Sequence, residues 1–158
     1  MKIIFLDFDG VLNSSAYLAE MKQGYEDYGS DEWWAAGLDK RLVLLLNKIC
    51  DRTGAKVVVS SAWRTAHTVG NLNRILRAAG FTGEAVGKTP SITGADRSEE
   101  ISKWLEMSKG YGYHVESYVI LDDDNDAEIP GRFVQTSAKT GLTEADASRA
   151  VRILEEDS

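Results

Sequence analysis

The chain has 158 residues, 43% of them hydrophobic and 27% charged, with a formal net charge of −7. That length suits a single domain, residues 1–158, with a core of its own. The negative balance argues against a general nucleic-acid or membrane-surface binder, though a local basic strip or an acidic catalytic cluster is compatible with it. Cys50 is the one cysteine, so no internal disulfide can form, and its helical setting reads as a small core residue. No apolar stretch approaches a membrane span, and only four apolar residues separate Lys2 from Asp7, too few for a secretory leader. A reducing cytoplasm is the expected compartment.

In chain order, the first element is the apolar run Ile3–Leu6, which stops at Asp7-Phe8-Asp9-Gly10. Residues two apart share a face of a strand, so Asp7 and Asp9 are expected to point the same way at its carboxyl end. Two like charges held that close call for a cation. Residues 13 to 37 are rich in Gly, Tyr, Ser, Asp and Trp, with a helical hint only around Ala16–Met21. They read as a flap or short insertion. A helix follows from Asp39 to Arg52 on Leu42, Leu44, Leu45, Leu46 and Ile49, with Gly54 as its stop.

The second strand is Lys56–Val59, ending at Ser60-Ser61. Leu72, Ile75, Leu76 and Ala79 then repeat at helical spacing and close on Gly80, and a weaker strand lies at Glu84–Gly87. Ser98 is expected to cap a helix through about Met107, with Ile101, Trp104 and Leu105 on one face. Strands follow at Tyr118–Leu121, ending in Asp122-Asp123-Asp124, and at Arg132–Gln135. Thr143 to Asp146 forms a capping box with Asp in the place of Glu, opening a last helix through Leu154. Short β-branched runs alternating with helices predict a mostly parallel, Rossmann-like sheet in a three-layer α/β/α sandwich.

Parallel strands gather their carboxyl ends at one rim, which brings Asp7, Asp9, Ser60, Asp122 and Asp123 together. Such an acidic cluster suits Mg²⁺, a hard cation that shares its oxygen shell with phosphate. A hydroxyl and a cation, Arg97 or Lys88, complete a phosphoryl-transfer site with an Asp able to act as nucleophile.

These residues resemble the motifs of the haloacid dehalogenase superfamily. Phe5-Leu6-Asp7-Phe8-Asp9-Gly10-Val11-Leu12 is similar to its first motif, Val57-Val58-Val59-Ser60 to its second and Val119-Ile120-Leu121-Asp122-Asp123 to its fourth. The third, a lone cation before a helix, falls at Arg97 with Lys88 as the alternative. The resemblance implies Asp7 as nucleophile carrying an aspartyl-phosphate and Asp9 as general acid–base. It implies Mg²⁺ held by Asp7, the Asp9 backbone carbonyl and Asp122 or Asp123, with Ser60 and Arg97 on the phosphate and Ser61 as the adjacent competitor. Ser60-Ser61-Ala62-Trp63-Arg64, Arg97 with Glu100-Ile101 and Trp104-Leu105, and Gly141-Leu142-Thr143 resemble the branch named for Swiss Army knife RNA-repair proteins.

Neither residues 13–37 nor the interval from Arg64 to Arg97 has room for a full cap domain. An uncapped site suits a phosphate on a large or accessible substrate, such as a nucleic-acid end or a nucleotide. Arg64, Trp63 and Trp33 are the candidate substrate contacts, with Trp34 beside them, and stacking of bases is the functional reading of the tryptophans. The alternatives are a phosphatase of the same fold acting on a small metabolite or a phosphoprotein, and a non-catalytic receiver-like or binding module. His67 and His114 lack ligand spacing and read as structural.

Overall fold

The computed structural model describes residues 1–156. Five strands form one all-parallel sheet: β1 (Lys2–Leu6), β2 (Lys56–Val59), β3 (Ala85–Lys88), β4 (Ser117–Asp122) and β5 (Phe133–Gln135). Their order is β3-β2-β1-β4-β5, so β1 is central, flanked by β2 and β4 in register Leu6↔Val59 and Leu6↔Leu121. The six helices are α1 (Ser15–Glu20), α2 (Asp31–Ala35), α3 (Lys40–Thr53), α4 (Val69–Ala78), α5 (Arg97–Ser108) and α6 (Glu144–Glu156). Among the described residues there is no cap domain, and no helix is long and apolar enough to cross a membrane.

Strand parity explains the layers. Ile4, Leu6, Val57, Val59, Val119 and Leu121 point to one face, where α3, α4 and α6 cover them with Leu46, Ile49, Leu72, Ile75, Ala150 and Leu154. Ile3, Phe5, Val58 and Ile120 point to the other face, which α5 covers with Ile101 and Trp104. Phe5 meets the Trp104 ring edge-on at 5.5 Å. Both faces are thus dry, which is why the strands read as continuous apolar runs rather than as alternation.

Local chemistry sets the helix ends. Asp39 caps α3 through the Arg41 N–H, and Gly54 ends it at φ 74°, a left-handed conformation that glycine adopts without strain. The capping box of α6 is reciprocal: the Asp146 N–H donates to Thr143 Oγ1 at 3.1 Å and the Thr143 N–H to Asp146 Oδ2 at 3.0 Å. The cap expected at Ser98 is displaced. Helix α5 starts at Arg97, with Asp96 in the cap position and no side-chain capping bond from it. The 3₁₀ turn Asn125–Ala127 packs against α5.

Residues 13–37 hold two short helices. Ser14 caps α1 and Ser30 caps α2. The Tyr17 hydroxyl donates to the carbonyls of Ala36 and Leu38, Arg74 of α4 pairs with Asp31, and α2 packs on α4.

Candidate active site

The parity that builds the two faces also selects the residues of the rim. Asp7, Ser60 and Asp122 each lie two residues beyond a side chain of the α5 face, namely Phe5, Val58 and Ile120. They therefore emerge on that face, at the amino end of α5. Carboxylate oxygens of Asp7, Asp122 and Asp123 lie within 4.8 Å of one another. Asp122 is 2% exposed, and its Oδ1 accepts the Asp124 N–H at 3.0 Å. Asp7 Oδ1 accepts the Phe8 N–H at 2.9 Å. Gly10 takes φ 81°, and a β-carbon there would overlap the Asp123 carboxylate. Glycine is thus required both by the turn and by the approach of the third acid.

Burial first, and then repulsion from Asp122, push the Asp7 carboxyl from 3.8 up to about 8, against the pull of Arg97. Burial likewise lifts Asp122 to about 6. Both shifts mark a site built for more positive charge than the side chains alone supply, and a divalent cation with oxygen preference fits this donor set. The folded pKa values lie above the ordinary one, so the metal-free fold binds extra protons between about pH 4 and 8 and loses stability as pH rises through that window. Thermal melts in chelator should fall in midpoint from pH 5 to 8, with Mg²⁺ restoring the loss at pH 8. A midpoint that is flat or rising in chelator contradicts this electrostatic picture.

Around the acids lie donors without partners. Ser60 is 1% exposed, and its Oγ makes no hydrogen bond. Arg97 Nη1 is also buried and unpaired, while the Arg97 charge acts on both Asp7 and Asp122. Thr89, the residue after β3, carries a third such group in its Oγ1, a position sequence reasoning passed over. Buried donors left open in this way are costly unless a ligand completes them.

The other expected residues are placed differently. Lys88 Nζ donates to the carbonyls of Arg64 and His67 at 2.9 and 3.0 Å, so its charge clamps the 64–67 turn and is not brought to the carboxylates. Ser61 Oγ accepts the Trp63 N–H and caps the 3₁₀ turn Ala62–Thr65. Arg64, 5% exposed, spends its guanidinium on the carbonyls of Ser61 and Thr89 and on Glu100 Oε1 at 2.9 Å. Glu100, 6% exposed, also lies 3.7 Å from Arg97 Nε and accepts the Ile92 N–H through its other oxygen. An Arg64–Glu100–Arg97 triad thus fixes the cation beside the acids. In the sequence Glu100 stands only as a residue of the family resemblance, and its two ion pairs are supplied by the structure.

Asp9 stands apart from the cluster. Its Oδ1 accepts from Asn13 Nδ2 at 2.9 Å and its Oδ2 from Trp63 Nε1 at 3.2 Å. Asn13 in turn accepts the Gly10 N–H and donates to the Gly37 carbonyl. Two further ties hold the loop after β1: the Thr136 hydroxyl donates to the Gly10 carbonyl at 2.7 Å, and the Leu142 N–H to the Val11 carbonyl at 2.8 Å. Trp33 sits farther out, its Nε1 on the Gly24 carbonyl at 3.0 Å.

No protein of curated function and no solved structure matches the chain significantly. One family model does, over residues 3–147, and it spans every residue of the rim. The chain belongs to the family described as the HAD domain in Swiss Army Knife RNA repair proteins, and so to the HAD-type hydrolases of phosphatase kind.

Proposed function

We propose that the protein is a Mg²⁺-dependent phosphohydrolase that works through an aspartyl-phosphate on Asp7. The reading rests on one observation: three clustered carboxylates share a sheet edge with two buried donors, Ser60 Oγ and Arg97 Nη1, that have no partner. A tetrahedral dianion is the ligand that uses both donors while balancing a cation on the acids.

In the first step an Asp7 carboxylate oxygen bonds to phosphorus as the ester P–O bond breaks, and Asp9 gives its proton to the departing oxygen. In the second, Asp9 takes a proton from water as that water attacks phosphorus. The bond to Asp7 then breaks, inorganic phosphate leaves, and both carboxyls return to their starting states. Ser60, Thr89 and Arg97 hold the phosphoryl oxygens, and Arg64 with Glu100 keeps Arg97 in place. Asp7, Asp122 or Asp123 and the Asp9 carbonyl would hold Mg²⁺, which supplies charge neutralisation on the phosphoryl group. The substrate is an accessible phosphate, on a nucleotide or a nucleic-acid end, and the compartment is the cytoplasm.

The test is hydrolysis of p-nitrophenyl phosphate. Turnover should need Mg²⁺ and stop in excess chelator, with acid-stable label from ³²P substrate recovered on the peptide containing Asp7. Full activity in chelator, or label elsewhere, defeats the proposal.

A further inference from the structure

Beside Asp9, residues of the 13–37 segment and of the 62–65 turn line an open cavity of about 170 Å³. Leu18, Met21, Trp33, Trp34 and Trp63 line it, and Asp9 is part of its wall. Its three lining rings, Trp63, Trp34 and Trp33, belong to a row that runs outward from buried Phe8 to exposed Tyr28. Phe8 contacts Trp63 at 5.2 Å, Trp63 contacts Trp34 at 5.3 Å, Trp34 contacts Trp33 at 5.1 Å, and Trp33 contacts Tyr28 at 4.5 Å. Hydrogen bonds from Trp63 to Asp9 and from Trp33 to Gly24 fix two of these rings, so the walls are preformed. An apolar cavity of ~150 Å³ accepts a benzene-sized ring. This one therefore has room for one planar ring.

We infer that this cavity is the leaving-group subsite and that it takes the base of a single nucleotide. The inference rests on the proposed role of Asp9, toward which the leaving group departs. The aromatic row extends away from Asp9, which suits a ring set back from the ester oxygen by a sugar rather than bonded to it, as in phosphotyrosine. Gln23 adds an amide to the wall; its Nε2 donates to the Trp33 carbonyl, and its Oε1 is the acceptor it offers to the edge of a base, which a phenyl ring cannot use. A polynucleotide fits poorly. The 13–37 segment carries Glu20, Glu26, Asp27, Asp31 and Glu32 against Lys22, and the chain's net charge is −7, so further phosphates would be repelled.

The test compares kcat/KM for uridine 3′- and 5′-monophosphates, ribose 5-phosphate, phosphotyrosine and a 5′-phosphorylated hexauridylate. One uridine monophosphate should exceed ribose 5-phosphate by roughly tenfold or more, the factor that stacking of one base supplies. It should also exceed phosphotyrosine and the hexamer. Trp33→Ala should bring the ratio of nucleotide to ribose 5-phosphate down toward one. Leu18→Glu, at an exposed position, should do the same and serves if the first variant does not fold. Ribose 5-phosphate as good as the nucleotides, a preference for phosphotyrosine or the hexamer, or a ratio unmoved in the folded variants overturns the inference. Binding is read separately through saturable quenching of tryptophan fluorescence by uridine alone. If no ester is hydrolysed, the phosphatase reading fails on its own, and quenching that is present and lost in the variants still supports the subsite. Absent quenching overturns it.

Discussion

Asp7→Asn should lower turnover of p-nitrophenyl phosphate by at least about a thousandfold while leaving the protein folded. The amide keeps the shape of the carboxylate and still accepts the Phe8 N–H, but it loses the charged nucleophile. The same change removes one of three crowded acids, one that burial and Asp122 hold near pKa 8, so the metal-free variant should melt higher than the parent at pH 8. Lower activity with higher chelator-resistant stability is a combination that mere damage to the fold does not produce. Retained turnover would remove Asp7 from the reaction.

The second large effect belongs to Glu100→Gln. Arg64 is buried, and burial already works against its charge, with Glu100 as the main compensation. Breaking a buried pair from one side costs about 3–5 kcal/mol, because the remaining charge stays uncompensated. For a chain of this length that corresponds to a melting midpoint lower by roughly 10 °C. Arg97 loses its ion-pair partner at the same time, so kcat/KM should fall about tenfold or more. The double replacement Arg64→Met with Glu100→Leu separates the two consequences. An apolar pair of similar volume should recover most of the stability, yet activity should stay low because Arg97 remains unheld. Recovery of both would mean that Glu100 acts on the fold alone.

The acidic edge is legible in the chain because it depends on period-two geometry and on short apolar runs with polar ends. Ile3–Leu6 followed by Asp7, Val57–Val59 followed by Ser60, and Val119–Leu121 followed by Asp122 each announce a buried strand and its rim residue. The capping box of Thr143 and Asp146 and the stop at Gly54 are equally local, and both stand where the sequence puts them. What escapes is whatever distant contacts decide. Helix α1 buries no residue and shows only as the hint around Ala16–Met21, while α2 buries only Ala35 and leaves no apolar stripe to announce it. Helix α5 starts at Arg97 without a side-chain capping bond, so no local capping signal marks its start. Arg64, Lys88 and Glu100 are charges with partners that include residues 21 to 36 positions away, and spacing alone cannot tell a clamp from a ligand.

The central place of β1 has a consequence for how activity arises during synthesis. Lys2 pairs with Ser117 and Leu6 with Leu121, so the strand that leads into Asp7 lacks one neighbour until Ser117–Asp122 has been made. The tie from Thr136 to Gly10 closes later still. Pairings this remote in sequence form slowly and late. A nascent chain therefore carries the first motif intact before the strand exists that brings Asp122 and Asp123 beside Asp7.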